Sequence, residues 1–161
     1  AIDPAPIKGV PELPLSALKS AFPVLRNPSN INRAVSLTEA QFRFGFTNAV
    51  SEQEAHELYA RYAMPAPGRP LFQAATATFN PNSATKVNTA NQIRGPLLLI
   101  SGTADTTVPP VLVKSTLRCY GKSKAVTEYK EFAGRGHSLI IDSGWKELAI
   151  YSLNWLKDKG L

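Results

Sequence analysis

The chain has 161 residues, 43% hydrophobic and 19% charged, a length and balance that allow one domain with a real core. Its net charge of +6 comes from 18 Lys and Arg scattered without a dense basic run or interleaved aromatics, which argues for a solvated surface and against a nucleic-acid footprint. No run approaches the roughly 18 apolar residues of a membrane span, and a single cysteine, Cys119, excludes an internal disulfide and a cysteine-rich metal site.

The start at Ala1 leads to the expectation of a processed or truncated product, from which any leader would already be gone. Ala1-Ile2-Asp3 reads as the tail of a strand, and AIDPAPIKGVPELP continues as a proline-rich loop. LSALKSAF reads as a short helix stopped by Pro23, followed by loop in NPSNINRAV. Ser36-Leu-Thr-Glu39 predicts a capping box opening a helix to about Asn48. Ser51-Glu-Gln-Glu54 predicts a second box, with a helix to about Ala63. Pro70 then starts PLFQAATATF, with proline at a tolerated first position. Residues 11–90 thus read as mostly helical, with no strands.

From Arg94 the pattern changes. GPLLLISG is a short apolar run closed by glycine, as in a strand covered on both faces. PPVLVKSTLRCYG reads as a helix, and AVTEYKEF as a strand. Residues 143–159 place Trp145, Leu148, Ala149, Ser152, Trp155 and Leu156 on one helical face. Strand, helix, strand, helix implies a parallel α/β arrangement, whose connecting loops gather at one sheet edge.

Two of those loops hold the chemistry. GTADTTVPP follows the first buried strand and contains Asp105; AGRGHSL follows the next and contains His137. A carboxylate facing an imidazole there fixes the tautomer whose other nitrogen is a base, and it stabilises the imidazolium. Asp3 ends the stub strand at the same edge and is the rival acid. His56 reads as a surface helix residue, Asp142 as a cap of the last helix, and Cys119 as a buried structural thiol. Phe42, Phe44, Phe46, Tyr59, Tyr62 and Phe72 read as the aromatic core of the helical segment.

The last third resembles the α/β-hydrolase family. The pattern strand–G-x-x-D-x-x-V-P is met by Gly102-Thr-Ala-Asp105-Thr-Thr-Val108-Pro109, and strand–G-H before a final amphipathic helix by Gly136-His137 and residues 143–159. The resemblance implies an α/β fold: the C-terminal half of such an enzyme, with a helical cap insertion. It assigns residues 1–10 to the end of a core strand and loop, 11–93 to the cap and 94–161 to the C-terminal core. It makes Asp105 the catalytic acid and His137 the catalytic base.

The family's nucleophile elbow, G-x-S-x-G, is absent. Ser16, Ser20, Ser29, Ser36, Ser51, Ser83 and Ser101 all lack the flanking glycines. Gly121-Lys-Ser123-Lys-Ala125 matches partly, but it lies after the acid and follows a helix. The oxyanion-hole loop is missing as well. The expectation is therefore a serine hydrolase of the esterase type, completed by its N-terminal half as a companion chain and inactive without it. Its substrate would be a small ester-like molecule, with no metal or organic cofactor. Relatives with an Asp nucleophile that open carbon–halogen bonds or epoxides, and a non-catalytic binder on the same fold, stand as alternatives. The sequence does not set the compartment, although the cytoplasm is favoured.

Overall fold

In the computed structural model, which describes residues 1–161, helix α1 spans Leu15–Leu25 and runs through Pro23 instead of stopping there. Pro23 falls in the last turn, so little helix follows the N–H it lacks, and Arg26 N–H still closes onto the Phe22 carbonyl at 3.0 Å. The segment read as loop holds a 3-10 turn at Pro28–Asn32 and a two-residue strand, β1 (Ala34–Val35). Helix α2 (Glu39–Gly45) is capped by Thr38, not Ser36. Thr38 Oγ1 accepts from Gln41 N–H at 3.3 Å, while Gln41 Oε1 accepts from Thr38 N–H at 2.9 Å. The helix ends three residues short of Asn48, where the Arg43 guanidinium gathers the carbonyls of Thr47, Val50 and Ser51.

Helix α3 (Glu52–Tyr62) starts at Ser51 as its sequence predicts, with Ser51 Oγ accepting from Glu54 N–H at 3.2 Å. Only half of the box forms. The Glu54 carboxylate instead accepts from the Ser143 N–H at 2.5 Å and its hydroxyl at 3.1 Å, which ties α3 to the far end of the chain. Strand β2 (Ala66–Pro67) pairs antiparallel with β1, a small ladder where no strand was expected. That pairing holds Ala34 and Val35 extended, and Tyr59 Oη donates to the Leu37 carbonyl, so the chain turns helical only after Thr38. Helix α4 (Arg69–Ala75) follows, with Pro70 near its start.

The second half matches its expected order: β3 (Leu97–Gly102), α5 (Pro110–Cys119), β4 (Thr127–Phe132) and α6 (Trp145–Asp158). β3 and β4 pair in parallel with Leu97 opposite Thr127 and Gly102 opposite Phe132. The stub joins the other edge of β3 through a parallel bridge from Ile2 to Ile100. Its backbone bonds are Ile100 N–H to Ala1 O and Asp3 N–H to Ile100 O, both 2.9 Å.

Alternation along β3 divides its side chains between two layers. Leu98 and Ile100 pack with Phe132, Leu139, Leu148 and Trp155, the last two from α6. Leu99 packs on the opposite face with Val10, Val108, Leu112 and Val113. Of the expected α6 face, Leu148 and Trp155 are buried, whereas Trp145 and Leu156 stay exposed. Trp155 Nε1 donates to Glu128 Oε2 at 2.7 Å, so its one polar atom is satisfied. Cys119 is half-buried rather than buried, its sulfur 3.9 Å from the Gly9 carbonyl.

The helical segment sits on the carboxyl edge of the sheet and is held there through the loop after β3. Thr107 Oγ1 donates to the Gly45 carbonyl at 2.6 Å and meets Ser20 Oγ at 2.6 Å. The Thr106 hydroxyl donates to the Phe44 carbonyl, and Asn48 Nδ2 donates to Ala104 O at 2.8 Å. No helix is long and apolar enough to cross a membrane.

Candidate active site

Asp105 is held by its own loop. Its Oδ1 accepts from the N–H groups of Thr107 at 2.7 Å and Val108 at 2.8 Å, just ahead of α5. That leaves Oδ2 facing outward from the turn. Its partner is His137 Nδ1 at 2.7 Å, across 32 residues of sequence. The two residues that sequence reasoning placed at one sheet edge are thus brought into direct contact.

The histidine loop reaches this position by close backbone approach. Gly134 has φ +69°, a left-handed conformation that glycine adopts without penalty. Ala104 N–H donates to Arg135 O at 2.9 Å, and Gly134 N–H to Thr103 Oγ1 at 2.8 Å. A Cβ on Gly102 would lie 2.3 Å from Arg135 O, so only glycine at the end of β3 lets the two loops touch. Downstream, Arg135 pairs with buried Asp142 and donates to Gly144 O at 3.1 Å. Asp142 thus anchors the histidine loop, and its Oδ1 also accepts from Gly144 N–H at 3.0 Å, the residue just ahead of α6, which itself has no side chain to cap with. His56 is exposed and bonded to Glu39 at 2.8 Å, as a surface residue should be.

Phe46, just past α2, packs edge-on against the imidazole with ring centroids 5.1 Å apart. It stacks in turn on Phe42 at 5.1 Å, and Phe42 meets Tyr59 at 5.5 Å. Of the six aromatics expected to form the core of the helical segment, Phe42, Phe46 and Tyr59 pack together and only Phe42 is buried; Phe46 also confines the histidine. Sequence spacing gave no sign of that second role. Asn48 was missed too. Its amide spans the acid loop at Ala104 and crowds Gly136, whose Cβ would meet Asn48 Oδ1 at 2.8 Å.

The third polar group is Asp3. It is buried, its Oδ1 accepts from Gly102 N–H at 3.2 Å, and its Oδ2 has no hydrogen-bond partner. That free oxygen lies 3.9 Å from His137 Nδ1. Burial, then the neighbouring charge of Asp105, push the Asp3 carboxyl up to about 7, against the opposing pull of His137 and the Gly102 N–H. For His137, burial lowers the imidazole pKa. The hydrogen bond and charge of Asp105, then the charge of Asp3, outweigh that and hold it above its ordinary value. The site therefore favours the imidazolium, which is the form a general base becomes.

Ligand-type atoms of Asp3, Asp105 and His137 all lie within 4.8 Å of one another. The 2.7 Å bond between Nδ1 and Asp105 Oδ2 occupies the space where a shared cation would bind, so the arrangement fits a proton better than a metal.

His137 and Asp3 also line a cavity of about 760 Å³ beneath the helical segment. Of its 34 lining residues 24 are hydrophobic, including Phe42, Phe46, Leu71 and Met64, which suits an apolar ligand. Ser20 is the one serine on its wall, and its hydroxyl is bonded to Thr107. Ser123 lies in a turn after α5 and donates to Asn91 O at 2.6 Å. No strand–turn–helix elbow presents any serine of this chain to His137.

No protein-family model matches the chain, and no curated protein does. Among solved structures, a monoacylglycerol lipase from Paleococcus ferrophilus is similar over 99% of this chain, with 22% identity and a TM-score of 0.52. The chain spans 58% of that lipase's length. A bromoperoxidase from Bacillus anthracis is 24% identical over 69% of this chain and 37% of its own, with a TM-score of 0.45. The match to the lipase over nearly all residues, with parallel strands ending at one edge and the Asp105 and His137 loops side by side, gives the chain an α/β-hydrolase-type fold.

Proposed function

We propose that residues 1–161 supply the acid and base of a serine hydrolase of the esterase type, with the nucleophile on a segment outside these residues. The observation that supports this most is the 2.7 Å bond from His137 Nδ1 to a buried Asp105, opening into an apolar cavity. Asp105 keeps the proton on Nδ1, so Nε2 is the free base. Nε2 takes the hydroxyl proton as the serine oxygen attacks the ester carbon. The imidazolium, stabilised by Asp105, returns that proton to the leaving alcohol. A water molecule then repeats the sequence to free the acid and the serine.

In this reading the segment 11–93 is a cap whose underside receives the apolar part of a small ester. The exposed apolar side chains support a missing neighbour: Leu13, Leu15 and Phe22 lie open along the first helix and the loop before it. So does the sheet, which has only two full strands and the Ile2 bridge. The test is hydrolysis of p-nitrophenyl esters by the whole protein, including the segment with its nucleophile. His137→Ala is expected to lower kcat by about 10³-fold or more while the fold persists. Unchanged turnover in that variant would remove His137 from the mechanism.

A further inference from the structure

Asp105 accounts for one carboxylate facing His137; the structure holds a second. Asp3 arrives from a different part of the chain, at the end of the stub that bridges to β3. It is 8% exposed, and its Oδ2 is the buried oxygen left without a donor. A buried carboxylate oxygen without a donor is costly unless a charge faces it. The one cationic group facing it is the His137 ring, with Nδ1 at 3.9 Å. Backbone conformation points the same way. Asp3 is the single non-glycine residue with positive φ, at +39°, a strained conformation held in place by the Asp3 N–H bond to Ile100 O and the Gly102 N–H bond to Oδ1.

We propose that Asp3 is a second positioning carboxylate of His137, facing the same ring nitrogen that Asp105 binds and stabilising the imidazolium together with it. This rests on His137 being the base of the hydrolase. As the ring gains its proton, positive charge appears at Nδ1–H and Nε2–H alike. Asp105 takes the hydrogen bond and Asp3 supplies a second negative charge on the same side. Burial and the charge of Asp105 hold the Asp3 carboxyl above its ordinary value, so a change of charge on the ring shifts its ionisation in turn.

The groups that face this pair are few. Asp105 comes from the loop after β3, and Phe46 from the end of α2 carries no charge. From β4, Tyr129 feels the charge of Asp3, and its hydroxyl is bonded to Ser101 and Glu131. Arg135, two residues before His137, is paired with Asp142. Only Asp105 and Asp3 act on the His137 ring through charge.

Asp3→Asn isolates the effect. Asparagine tolerates the left-handed backbone and keeps an oxygen for the Gly102 N–H, so the fold is retained. Asp3→Gly serves as a second variant that tolerates the same φ. The chain has two histidines, and His56 is an exposed internal control. Imidazole nitrogen shifts followed against pH in the whole protein report each ring separately. The expected result is that the His137 midpoint falls by about one pH unit in both variants, while His56 stays where it was. In ester hydrolysis, the acid limb of kcat/KM then moves to lower pH by a similar amount. An unmoved His137 midpoint in both variants would overturn the proposal, whether or not the protein hydrolyses esters. A protein that lacks hydrolytic activity but shows the shift would leave the carboxylate pair intact and refute only the hydrolase reading.

Discussion

Asp105 divides its two oxygens between backbone and imidazole, and that division predicts what an amide would do. In Asp105→Asn the side-chain oxygen is held by the Thr107 and Val108 N–H groups, as Oδ1 is now. The amide N–H₂ then faces His137 Nδ1 and donates to it, which places the ring proton on Nε2 and removes the base. We expect kcat for ester hydrolysis to fall by about 10³- to 10⁴-fold with little change in melting temperature. Steady-state kinetics beside a thermal melt checks both. Asp3 gives a prediction about stability. Its folded pKa is raised above the unfolded value, so the folded state binds more protons than the unfolded one from about pH 4 to 7. The stabilisation it contributes is present at low pH and is lost as pH rises through about 7. Relative to wild type, Asp3→Asn should therefore gain stability from about pH 4 upward and level off above about pH 7. Urea denaturation of both proteins across that range measures the difference. Carboxylates such as Glu128 and Glu131, held low by their lysine partners, slope the other way but are common to both proteins. At this scale the contact between Asp105 and His137 was legible because the two residues follow successive strands. The pull of Asp3 on the same ring was not, because it depends on which oxygens other loops leave free.

At the scale of elements, the sheet half was readable and the helical half only in outline. LLLISG buries both faces, so its apolar run matches one state well, and TEYKEF follows it in register. Local signals in the first half compete. Ser36 and Thr38 both open an S/T-x-x-E/Q-like pattern, and the pairing of β1 with β2 decides between them. Thr38→Ala should cost about 1 kcal/mol in urea denaturation, whereas Ser36→Ala should stay within about 0.5 kcal/mol. Equal losses would mean that the helix starts earlier than Glu39. Pro23 likewise reads as a stop, but a proline in a last turn disturbs little that follows. Glu54 reads as half of a capping box and is used to hold Ser143. No local rule reveals a partner 89 residues away.

At the scale of the molecule, only 29 of 161 residues are buried, while Leu15, Phe22, Phe79 and Ile93 stand mostly exposed. A chain of this length normally encloses more, which is consistent with a fold that continues beyond these residues. Composition alone gives no sign of this, because 43% hydrophobic content is ordinary; the expectation rests on the absent G-x-S-x-G pattern and the short sheet. The proposed function has Asp105 and His137 serve a nucleophile outside residues 1–161. Treatment with a fluorophosphonate, read by intact and peptide mass spectrometry, tests it most directly. The 161-residue chain is expected to keep its unmodified mass, while the whole protein gains one adduct on a serine outside these residues. An adduct on any serine within residues 1–161, accompanied by ester hydrolysis from this chain alone, would contradict it.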